Sequence, residues 1–75
     1  MISEYNNKND ALIREYGIDH IPLIKLREIL VAPADDPQIL KIYKINSDQI
    51  SKLVEYIPDL KYNPTSAEYF YECFE

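Results

Sequence analysis

A chain of 75 residues is long enough for one small domain and too short for two, since a second core would need about fifty further residues. With 47% hydrophobic and 28% charged residues it can offset its ordering entropy by burial, which sets disorder aside. Eight Lys and Arg against thirteen Asp and Glu leave a net charge of −5, a field that repels phosphate backbones and anionic lipid and disfavours direct binding to nucleic acid or membrane.

Residues 2–6 and 11–18 are runs rich in Ile, Leu and Tyr, separated by Asn7-Lys8-Asn9-Asp10, and they predict an N-terminal β-hairpin because Asn and Asp side chains favour tight turns. Asp19-His20-Ile21-Pro22 then sets a capping residue and a proline before Leu23, Leu26, Ile29 and Leu30, whose helical spacing predicts a first helix over about residues 22–31. Pro33 and Pro37 stop it and stiffen a loop. Residues 39–45 alternate as a strand, with Lys41 and Tyr43 toward the exposed side. Asn46 with Gln49 reads as a capping box, and Ile50, Leu53, Val54 and Ile57 draw one apolar stripe, so a second helix is expected over about residues 47–57.

Residues 67–75 have two readings. As a strand they put Tyr69, Tyr71 and Cys73 on one face and Phe70, Phe74, Glu68 and Glu72 on the other; as a helix they would be led by Thr65 and Glu68. The aromatic content favours the strand. The expected fold is α+β, a single small domain over residues 1–75 in the order β-β-α-β-α-β, with a mostly antiparallel four-stranded sheet, two helices on one face and the other face partly open.

The chemistry on offer is thin. His20 and Cys73 are the sole residues of their kinds, so no nucleophilic triad and no structural zinc site can be assembled from paired ligands. His20 reads as a capping or packing residue and Cys73 as a small core hydrophobe. Gly17 is the only glycine, which rules out a phosphate-cradling loop, and the 7–10 turn lacks the glycine and terminal glutamate of a calcium loop. Asp35 and Asp36 could pair as acid and base, but between prolines they read as exposed turn formers. No cofactor and no enzymatic activity are expected. Seven tyrosines exceed what so small a core can bury with every hydroxyl bonded, so several are expected at a surface suited to protein contact. A single cysteine fits a reducing cytoplasm, and the first residues carry neither the basic nor the apolar region of an export signal.

The hairpin end Glu15-Tyr16-Gly17-Ile18, the segment Ile21-Pro22-Leu23-Ile24-Lys25-Leu26, the loop Asp35-Asp36-Pro37, the run Tyr43-Lys44-Ile45 with Gln49 after it, and Tyr69-Phe70-Tyr71-Glu72-Cys73 together resemble a known family. That family is the small immunity proteins encoded beside bacterial polymorphic toxins, including those of contact-dependent growth inhibition systems. The resemblance covers most of the chain and rests on strand and helix punctuation, with no catalytic signature. It implies a bacterial, cytoplasmic antitoxin that binds the C-terminal toxin domain one to one and covers its active site, with nucleases the commonest targets and a ribonuclease the favoured one.

Immunity families diverge most where they touch the toxin, so the resemblance supplies no site residues. Charge and aromaticity alone select Asp35, Asp36, Tyr43, Tyr62, Glu68, Tyr69, Tyr71 and Glu72 as candidate partner-binding residues, with carboxylates meeting a basic nuclease cleft and tyrosines supplying apolar area. The alternatives are another acidic protein-binding inhibitor or adaptor, and a homodimeric structural or regulatory domain joined through the open sheet face.

Overall fold

A computed structural model describes residues 1–73 and forms β1 (Ile2–Asn6) and β2 (Leu12–Tyr16) into the expected antiparallel hairpin. Its turn is built by asparagines: Asn6 Oδ1 accepts from the Lys8 amide at 2.8 Å and Asn9 Oδ1 from the Ala11 amide at 3.0 Å. Asp10 takes the left-handed position at φ 59°, which a short polar side chain tolerates. A bulge at Ile13 shifts the register between Glu4 and Tyr5, so Tyr5 faces Leu12.

Helix α1 (Leu23–Leu30) follows Pro22, whose carbonyl accepts from the Lys25 and Leu26 amides at 3.0 Å. Asp19 provides no cap: Pro22 itself is the N-cap, and no side chain bonds there. Helix α2 (Ser47–Leu53) has the complete Asn46–Gln49 capping box, with both reciprocal bonds at 2.9 Å. Its regular part ends at Leu53, and the expected stripe continues as turns that bring Ile57 and Leu60 into the core.

The strand expected over 39–45 shrinks to β3 (Tyr43–Lys44). The Asp36 carboxylate takes the backbone donors that a longer strand would need for its ladder, accepting from the Leu40 amide at 2.8 Å and the Lys41 amide at 3.1 Å. It also accepts from the Tyr43 hydroxyl at 2.6 Å. Ile39, fully buried, is left-handed at φ 53°, its amide bonded to the Asp36 carbonyl and its carbonyl accepting from Tyr71 Oη at 2.8 Å. Asp36 is therefore a buried loop organiser and not the exposed turn former expected of it.

The last strand is β4 (Ala67–Tyr71), confirming the strand reading; Phe74 and Glu75, which that reading included, lie outside the described residues. The sheet order is β2-β1-β4-β3 with every pair antiparallel. Burial along β4 alternates: Ala67, Tyr69 and Tyr71 are buried, Glu68 and Phe70 half-buried. The buried set joins Ile2 and Tyr16 in one cluster with Leu26, Ile29 and Leu30 of α1 and Ile50 and Leu53 of α2. Both helices thus cover the same face. No helix of the described residues is long and apolar enough to cross a membrane.

Val31 closes α1 at φ 53°, a left-handed position where a β-branched side chain is strained, and it is 77% exposed. Val31→Gly should therefore stabilise the fold by about 1 kcal/mol in urea unfolding, strain relief outweighing the entropy of glycine; a loss of stability would contradict the strain.

The Asp36–Tyr43 bond has a pH signature. It holds the Asp36 carboxyl below its ordinary value and pushes the Tyr43 hydroxyl up to about 12. The depressed carboxyl contributes stability above the ordinary value of 3.8 that is lost as pH falls through the folded value. The raised hydroxyl contributes below 10.0 and is lost as pH rises toward about 12. The melting deficit of Tyr43→Phe relative to the parent should be several degrees near neutrality and narrow below about pH 4. A deficit independent of pH in thermal melts would refute the coupling.

Candidate partner-binding face

Because the helices occupy one side, the side chains of opposite parity form an open face. Across β2, β1, β4 and β3 the register sets Glu15, Ser3, Phe70 and Lys44 in one row, and Leu12, Tyr5 and Glu68 in the next. Tyr5 and Phe70 meet edge to face, with ring centroids 5.8 Å apart and planes at 71°. Leu12 is 48% exposed beside them.

Glu72, just beyond β4, anchors this group. Its Oε1 accepts from the Tyr5 hydroxyl at 2.8 Å and its Oε2 from the Ser3 hydroxyl at 3.4 Å, and Ser3 is buried beneath. The bond to Glu72 leads in raising the Tyr5 pKa above its usual value, since a phenolate there would face a carboxylate. Lys44 lies 3.9 Å from Glu68 in an exposed pair, and the N-terminal ammonium, bonded to the Glu72 carbonyl at 2.6 Å, lies within electrostatic reach of Glu72 and Glu15, so three carboxylates meet two cations. The face is thus acidic at its margins and aromatic along its middle, with Tyr5 held in place by its bond to Glu72. It offers contact area and charge, and among the described residues no group of three or more His, Cys, Asp or Glu is placed to hold a metal ion.

The eight residues chosen from charge and aromaticity fall in four places. Glu68 and Glu72 belong to the open face. Tyr69 and Tyr71, 1% and 5% exposed, lie on the helix-covered side, where their hydroxyls donate to the carbonyls of Lys61 at 2.7 Å and Ile39 at 2.8 Å. They are core residues and have no surface to give a partner. Asp36 and Tyr43 organise the loop before β3, while Asp35 is exposed beside Lys41 at 3.4 Å. Tyr62 is 40% exposed on the loop before β4, its ring 5.4 Å from that of Tyr69.

The open face also holds Tyr5, Phe70, Leu12 and Glu15, which the selection from charge and aromaticity leaves out. Period two along β4 separates Phe70 and Glu68 from Tyr69 and Tyr71, whereas Leu12 joins Glu15 on one face only through the bulge at Ile13, and Tyr5 joins them only through the pairing of β1 with β4. His20 is exposed and donates from Nε2 to the Tyr56 carbonyl at 2.6 Å, tying the approach to α1 to the turns that follow α2. Cys73 is exposed beyond β4 and not the core hydrophobe expected.

Neither the curated proteins nor the solved structures contain a match to this chain. One family model does match, over residues 1–72, and so takes in every strand, both helices and each residue of the open face. The chain belongs to the family described as a domain of unknown function, DUF7683.

Proposed function

We propose that the protein is a cytoplasmic, non-enzymatic immunity protein that binds a cognate bacterial toxin domain, a ribonuclease, and covers its basic active-site cleft. The observation that carries this reading is the open sheet face, where a preorganised Tyr5–Phe70 pair is edged by Glu15, Glu68 and Glu72. A nuclease cleft is basic because it holds phosphates, so an acidic aromatic surface matches it in charge and excludes water from its centre. Size is sufficient: a standard interface of about 800 Å² per partner takes roughly a sixth of the 5008 Å² accessible surface.

A second reading, a homodimer, draws support from the unpaired outer edge of β2, where Leu12 and Ile13 are 48% and 44% exposed. Sedimentation at micromolar concentration separates the two, since a monomer removes the dimer.

The decisive experiment is capture of the tagged protein from its producing strain at low and high salt, followed by a ribonuclease assay of the co-eluting fragment with and without the purified chain. A basic fragment from the end of a large secreted protein, inhibited at one equivalent, is the expected result. An active fragment that the chain fails to inhibit would end the immunity reading. Within such a complex, Glu15→Lys with Glu68→Lys should slow association about tenfold at low ionic strength, and Phe70→Ala should mainly speed dissociation, costing about 1–2 kcal/mol. Unchanged rates for both would place the interface elsewhere.

A further inference from the structure

Beside the open face, a groove of about 220 Å³ runs between the loop carrying Tyr62 and Pro64 and the adjoining ends of β3 and β4. This is smaller than the roughly 300–1,000 Å³ of typical small-molecule pockets and is the scale of one inserted side chain. Ile45 and Pro64 contribute apolar surface, Tyr62 an exposed ring, and Glu68 a carboxylate that belongs to the open face as well. The groove and the face are therefore one continuous surface.

The ring is held ready. Tyr69, 1% exposed, fastens the Tyr62 loop from below by donating its hydroxyl to the Lys61 carbonyl at 2.7 Å and accepting from the Asn63 amide at 2.9 Å. Asn7 holds the far side of the loop, its Nδ2 donating to the Thr65 carbonyl at 3.1 Å and its amide to that of Ser66 at 3.1 Å. The Tyr62 ring itself packs on that of Tyr69 at 5.4 Å, and a ring carried on a fastened loop loses less freedom when a ligand stacks on it than one on a free loop.

The carboxylate, by contrast, is loosely engaged: Lys44 Nζ is 3.9 Å from Glu68, and the two side chains are 67% and 42% exposed. Such a pair is weak and easily replaced. A ring face beside a replaceable carboxylate suits a planar cation that can stack and bond at once, which is the chemistry of guanidinium. We infer that this groove receives an arginine side chain from the basic partner, with the guanidinium over Tyr62 and bonded to Glu68 in the place of Lys44. The inference names the anchor of the interface proposed above and rests on that reading for the source of the arginine.

The test needs no partner. Titration of the isotope-labelled protein with N-acetyl-arginine amide, followed by NMR, should give saturable millimolar shifts centred on Tyr62, Ala67 and Glu68. Glu68→Gln and Tyr62→Leu should each weaken them about threefold or more, whereas Lys44→Met, by removing the competitor, should strengthen them. All three side chains are exposed or half-buried, so the fold is retained. The absence of saturable shifts, an equal response to N-acetyl-glutamate amide, or weaker arginine binding in Lys44→Met would each overturn the inference. Toxin inhibition by the chain is read separately, so a silent groove with an active inhibitor removes the anchor alone, and a responsive groove with no inhibition removes the immunity reading alone.

Discussion

Two helices of eight and seven residues cannot wrap a four-stranded sheet, and they lie together on one side of it. The rest of the architecture follows from that shortage of covering material. One sheet face collects Ile2, Tyr16, Tyr69 and Tyr71 into the core, and the other must remain compatible with water while still ordering its strands. The chain meets this demand with polar and aromatic cross-strand partners, Tyr5 against Phe70 and both serine and tyrosine hydroxyls against Glu72. A surface ordered in this manner is held by its own cross-strand contacts.

The 31–42 stretch shows a different economy. The only glycine, Gly17, is not used for a left-handed turn, and that conformation falls instead to Asp10, Val31 and Ile39. Ile39 is held there by a local turn bond to Asp36 and a tertiary bond from Tyr71. This is why the third strand was overread from sequence: the alternation of residues 39–45 is genuine, but the neighbouring Asp36 carboxylate competes for its amides, and such competition leaves no trace in hydrophobic periodicity. The hairpin, the Asn46–Gln49 box and the order of elements were legible because each rests on local chemistry that tertiary packing reinforces.

The open face was half legible. Glu68 and Glu72 were found from their charge, yet Tyr69 and Tyr71 were grouped with them although they alternate with them along the strand. A tyrosine counts as surface or core according to whether its hydroxyl finds a buried carbonyl, and those carbonyls, at Lys61 and Ile39, come from loops whose paths sequence pattern does not determine. Tyr5 became visible only once β1 was known to lie beside β4.

That adjacency has a kinetic side. β4 is the last strand described and sits inside the sheet, between β1 and β3, so the contacts it makes are among the most remote in the chain; Ser3 and Glu72 are 69 positions apart. The β1–β2 hairpin can form in microseconds on its own, but β3 has no neighbour until the final strand is threaded into the middle. Both the hydrophobic layer and the acidic face are then completed in the same late step. A ribosome-bound chain halted before residue 67 would lack the strand that joins the hairpin to β3, so neither face of the sheet is continuous ahead of the completed fold.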